Sequence, residues 1–148
     1  MSKQNLAVTH HLNGFNCAQA VIGPFSEQLG LDERLAMRLA SGFGAGMRCG
    51  DMCGAVTGAL MVLGLFDGQE YAHEQDKKHA LNEQVELFHQ HFKSLHHTNI
   101  CRELLGYDMT SPVDKKVILE KNLSRTKCDV YIADAVAIIE QMMYEAKG

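Results

Sequence analysis

The chain contains no tryptophan and only two prolines, Pro24 and Pro112, in 148 residues. So little proline leaves long helices free to form. Alternating β-branched runs are also scarce, so a sheet has few strands to draw on. No basic run stands out and the formal net charge is -4, which argues against a nucleic-acid partner. Met1-Ser2-Lys3-Gln4-Asn5 lacks the charged-then-apolar order of a secretory leader. The long apolar run from Met52 to Phe66 is too short for a bilayer span. The expectation is a cytoplasmic protein without membrane insertion. No C-x-x-C-H occurs, which removes covalent haem, and the C-x-x-C of a common dithiol pair is missing as well. The glycines at Gly42, Gly44 and Gly46 follow no strand, so they are not a dinucleotide fingerprint. No low-complexity linker divides the chain, which reads as one domain over residues 1–148.

What is present is apolar spacing of three and four residues, again and again. The fold class is all-α: a single-domain helical bundle around a central, buried helix rich in glycine and alanine. Leu6 to Leu12 form a first helix. Asn16 with Gln19 forms a capping box for a second, which runs to about Leu29 with a kink at Pro24 and a stop at Gly30. Asp32 caps a third, with Leu31, Leu35 and Leu39 along one face. A long helix from about Glu70 to Leu95 carries the seam Leu81, Val85, Phe88, Phe92, Leu95. A short helix begins after Thr98 or Asn99. Ser111-Pro112-Val113-Asp114 is another start signal. Thr126 with Asp129 marks the last helix, whose seam is Cys128, Ile132, Ala135, Ile139 and Met142.

The most specialised stretch lies between Gly42 and Gly64. Its first half is too glycine-rich for an ordinary helix. Its second half is apolar and built from small residues, with Gly54 and Gly58 on one face to admit a close neighbour. Asp51 is the expected cap, which places Cys53 in the first turn. Cys17, Cys101 and Cys128 likewise follow cap-type residues by one or two positions. Helix starts favour anions, so all four thiols are expected to be held toward the thiolate. Taken singly, each cysteine also fits as a small buried hydrophobe.

Cys53-Gly54-Ala55-Val56-Thr57-Gly58 resembles the signature of the C-GCAxxG-C-C family of redox-active proteins, with Cys-Gly-Ala where the family name has Gly-Cys-Ala. Asn16-Cys17-Ala18-Gln19-Ala20 resembles the family's upstream element. Asn99-Ile100-Cys101 and Lys127-Cys128 resemble its two downstream elements. The resemblance spans nearly the whole chain and implies redox activity carried by Cys17, Cys53, Cys101 and Cys128.

Three uses compete for these thiols. One is an iron–sulfur cluster or other metal held by Cys17, Cys53, Cys101 and Cys128 for electron transfer, with zinc as the alternative ion. A second is thiol–disulfide chemistry at Cys53, with Cys49 as resolving partner, in which case no cofactor is needed. A third is a non-catalytic helical interaction module with a structural metal site. Whether the chain is an enzyme is left open. A redox partner protein and a homodimer formed through the apolar seams are further expectations. Among the eight histidines, His97 is the candidate to support Cys101, while His10, His11, His91 and His96 read as solvated. Glu70 with His73 and Glu86 with His89 share the spacing of di-iron bundles, but both lie on one helix, where such a site needs facing helices.

Overall fold

The computed structural model describes residues 1–147. Eight α-helices follow in order: α1 Lys3–Leu12, α2 Cys17–Ser26, α3 Glu33–Leu39, α4 Gly54–Asp67, α5 Gln75–His96, α6 Cys101–Leu105, α7 Pro112–Glu120 and α8 Asp129–Lys147. Among the described residues there is no β-strand, and one isolated antiparallel bridge pairs Met52 with Ile100. The all-α expectation holds. Helix α4 is the centre. Ala55, Val56, Ala59, Val62 and Leu63 are buried against α2, α5 and α8.

The capping box at the start of α2 forms as the sequence predicts. The Asn16 side chain accepts from the Gln19 N–H at 2.9 Å, and the Gln19 side chain accepts from the Asn16 N–H at 2.9 Å. Gly30 stops the following 3-10 turn in the left-handed conformation, φ 87°. Ser111 caps α7 with Pro112 at its first position. On α8 the seam residues Ile132, Ala135, Ile139 and Met142 are all buried.

Other expectations fail, each for a local reason. On α3 the buried residues are Ala36 and Met37, while Leu35 and Leu39 are exposed. The helix lies close on small side chains rather than on its leucines. On α5 only Phe88 and Phe92 of the seam are fully buried, and Leu95 points out. The helix begins at Gln75 rather than Glu70. The Glu74 carboxylate accepts from the N–H groups of Glu70 and Tyr71, which shapes the preceding segment as a turn.

The packing of α2 on α4 is the closest in the fold. A Cβ built on Gly58 lies 2.7 Å from the Ala18 carbonyl oxygen and 3.1 Å from Val21 Cβ. One built on Gly54 lies 3.0 Å from Cys17 Cβ. A Cβ on Gly64, in the same helix, meets nothing within 4 Å. Gly58→Ala is therefore expected to destabilise the protein by about 1–3 kcal/mol through overpacking. Gly64→Ala is expected to stabilise it by about 0.5–1 kcal/mol through helix propensity. Thermal unfolding of the pair checks the contrast: the two Tm shifts have opposite signs.

Candidate functional site: a buried cysteine cluster beside a cleft

Four chain segments meet at one end of α4. The capping box sets Cys17 at the first helical position of α2. The Asn16 amide also donates to the carbonyls of Ala40 and Ser41, both at 3.2 Å, and ties this start to the end of α3. Cys53 is itself the N-cap residue of α4, so Asp51 is not the cap. The Cys53 N–H donates to the Asn99 carbonyl at 2.8 Å, and the Cys101 N–H donates to the Asp51 carbonyl at 2.6 Å. With Met52 opposite Ile100, these bonds clamp Cys53 and Cys101 side by side. Cys128 closes a wide turn, Ser124–Cys128, that runs straight into α8. Thr126 is no cap there, since its hydroxyl donates to the Asn122 carbonyl.

The glycine-rich stretch takes an unusual form. Ala45, Gly46, Met47 and Arg48 all have positive φ, 53°, 62°, 59° and 59°. They make one left-handed turn, a conformation costing about 1–2 kcal/mol for each residue that carries a Cβ. The turn is pinned by the Asp51 N–H on the Gly46 carbonyl at 3.0 Å and by Arg102 on the Gly50 carbonyl at 3.0 Å. A Cβ on Gly46 would sit 2.9 Å from Cys101 Cβ, so the glycine there makes room for the cysteine. Between this turn, α1, α2 and the start of α8 lies a cleft of about 310 Å³, lined among others by Cys17, Cys128, His11, Asn16, Arg48 and Met109.

The model of the family described as "Putative redox-active protein (C_GCAxxG_C_C)" matches residues 15–142. The chain belongs to this family. No curated protein and no solved structure matches it.

In this C_GCAxxG_C_C protein the structure brings Cys17, Cys53, Cys101 and Cys128 into one environment. Cys17 senses the charge of the other three, Cys53 that of Cys101 and Cys128, and Cys101 that of Cys128. Cys49 stays outside. Its side chain is exposed on the left-handed turn, and its thiol donates to the Gly46 carbonyl at 3.3 Å. The structure thus brings no contact between Cys49 and Cys53. Among the described residues, no three His, Cys, Asp or Glu side chains are arranged to hold a metal ion.

The thiols do not behave as their helix starts suggest. Burial pushes Cys53 up to about 12, although the N–H groups of Ala55 and Val56 pull the other way. Burial likewise pushes Cys101 up to about 11. Desolvation outweighs the helix end, because excluding water from a thiolate costs more than two amide donors return. Cys17 and Cys128 split apart instead. The thiol of Cys17 donates to the sulfur of Cys128, which holds Cys17 well above the ordinary thiol range and holds Cys128 below it. Burial and the nearby charge of Asp129 oppose the lowering of Cys128, and the Arg125 guanidinium assists it.

His11 is the residue that sequence reasoning missed. It is not solvated. Its side chain is 11% exposed, and burial holds its pKa below the ordinary imidazole range. Nε2 lies 3.9 Å from Cys17 Sγ, and Nδ1 lies 2.7 Å from Asp129 Oδ1. Arg125 Nη2 approaches the same Nδ1 at 2.7 Å and Asp129 Oδ1 at 3.5 Å. The sequence carries only a weak signal for this, a separation of six positions from His11 to Cys17 across the break at Gly14. His97, expected to support Cys101, is exposed at the left-handed end of α5. His96 instead pairs with Asp134 at 2.8 Å.

The raised thiols carry a consequence for stability. Cys53 and Cys101 lose their protons in the unfolded chain near the ordinary thiol value of 9.0 but keep them in the fold to about 12 and about 11. Between these values the unfolded chain binds fewer protons than the native one, so stability falls as pH rises. The expected slope is about 1.4 kcal/mol per pH unit for each thiol. Denaturant unfolding between pH 8 and pH 11, roughly the window of these shifts, checks this. Cys53→Ala should make the decline shallower.

Proposed function

We propose that this redox-active protein works by dithiol–disulfide exchange, with Cys17 and Cys128 as the reacting pair. The observation that supports this reading is that Cys17 and Cys128 both line one open cleft, close enough that each thiol's hold on its proton depends on the other. It moves the reactive pair away from Cys49 and Cys53. The substrate is a disulfide, RS–SR. The Cys128 thiolate attacks one sulfur, forming a mixed disulfide and expelling RS⁻, which takes up a proton. Cys17 then loses its proton and attacks the Cys128 sulfur, expelling the second RS⁻, which takes that proton up. One disulfide is reduced to two thiols, and the Cys17–Cys128 dithiol is oxidised to a disulfide. Asp129 and Arg125, both on Nδ1 of His11, fix the ring beside the Cys17 sulfur. The same steps in reverse make the protein an oxidant of thiols.

Peptide mapping after mild oxidation of the full chain tests the pair. The expected product is a Cys17–Cys128 cross-link that dithiothreitol removes. A Cys49–Cys53 bridge, or five free thiols, would overturn the assignment. Cys17→Ala should also move the titration of Cys128 upward, read from its ultraviolet thiolate absorbance, because the hydrogen bond that favours the thiolate is gone.

A second reading draws support from the four thiols that share one buried environment: an iron–sulfur cluster or other metal held by Cys17, Cys53, Cys101 and Cys128. The donor chemistry suits such a group, while the side chains as arranged do not surround a single ion. A cluster would supply one-electron transfer, to or from a partner protein. Iron, sulfide and zinc content after anaerobic purification decides it: a metal-free protein removes this reading.

A further inference from the structure

We infer that the cleft takes a small disulfide or thiol bearing a carboxylate, and that Arg48 is the residue selecting it. This rests on the dithiol reading above and adds the class of substrate.

Size comes first. A cleft of about 310 Å³ lies at the lower end of the range for small-molecule sites, so it suits a small organic disulfide better than a loop of a folded protein.

Charge comes second. No acidic side chain lines the cleft. Asp129, next in sequence to Cys128, is already engaged by His11 and Arg125, and Asp108, next to Met109, is engaged by Thr110. Arg48 makes no ion pair among the described residues. Behind the thiols, Nη1 of Arg125 is buried without a hydrogen-bond partner. The uncompensated charge facing an incoming ligand is therefore positive. A carboxylate would meet a guanidinium, the donor best matched to its two oxygens.

The third observation is the backbone of Arg48. It sits at φ 59° in a loop whose neighbours include Gly42, Gly44, Gly46 and Gly50. Glycine would occupy that position without strain. An arginine does so at a cost, and this one lines the same cleft as Cys17 and Cys128. Strain kept at a position that borders the same cleft as the reacting sulfurs is strain with a use.

In the reaction, the acidic disulfide is reduced to two acidic thiols while Cys17 and Cys128 are oxidised, and positive charge near the expelled RS⁻ favours its departure. The test uses the full-length reduced protein and three small disulfides of differing charge: dithiodiglycolate, hydroxyethyl disulfide and cystamine. Each rate of Cys17–Cys128 oxidation is divided by that probe's rate with free cysteine, which removes intrinsic reactivity. The readout is the ratio between probes, which a variant that merely slows all chemistry leaves untouched. The wild type is expected to prefer the acidic over the neutral probe by about tenfold, the size of one charged hydrogen bond, and less as salt is added. Arg48→Asn removes the charge with a residue that tolerates the left-handed backbone, and should lose the preference. Arg48→Lys should keep most of it, and Arg48→Glu should turn it toward cystamine. Equal ratios for all probes in the wild type, or a preference that survives in Arg48→Asn, would overturn the inference and leave the dithiol reading standing. If no probe oxidises the pair, both fall together.

Discussion

The contact between α2 and α4 governs where the sulfurs lie. Without side chains at Gly54 and Gly58, the backbone of α2 at Ala18 rests directly on α4. That approach carries the first residue of α2, Cys17, to the edge of the cluster. The other three sulfurs are held by different means. The paired segments 51–53 and 99–101 fix Cys53 and Cys101, and the wide turn before α8 delivers Cys128. A bundle with ordinary helix spacing would hold the same four residues further apart, with water between them.

Burial then sets the chemistry. The helix ends at Cys17, Cys53 and Cys101 offer amide donors, yet Cys53 and Cys101 hold their protons more firmly than an ordinary thiol because desolvation dominates. The one thiol held toward its anion, Cys128, gets there through a side-chain donor, Cys17, helped by Arg125. Electrostatic asymmetry within a pair of like groups is what separates attacking from resolving roles in thiol exchange. Cys53 and Cys101, lacking such a side-chain donor, are held as neutral thiols.

Much of this was legible from residue pattern. The capping box at Asn16, the stop at Gly30, the start at Ser111-Pro112 and the buried seam of α8 are all local, and local chemistry decides them. The convergence of the four cysteines was carried by the family resemblance, not by spacing. What escaped depends on contacts far apart in sequence. Asp51 has the chemistry of a cap, but its carbonyl pairs with Cys101 and the helix starts later. Leu35 and Leu39 have the period of a buried face, but α3 lies on Ala36 and Met37. His11 reads as one more surface histidine until α1 is packed against α8, where Asp129 and Arg125 surround it. The left-handed turn at Ala45–Arg48 could not be foreseen from a run of glycines interrupted by ordinary residues, since the conformation belongs to the clamp around it.

Cys17 and Cys128 lie near opposite ends of the polypeptide, more than a hundred residues apart. A covalent link between them would turn nearly the whole molecule into a closed ring with two short tails. Ring closure of that length removes unfolded-chain entropy worth on the order of 4–5 kcal/mol, comparable with the entire stability of many small domains. The molecule's resistance to unfolding would then rise and fall with the oxidation state of one pair of atoms, so a protease or chaperone that samples opened chains could distinguish the two forms without touching a sulfur.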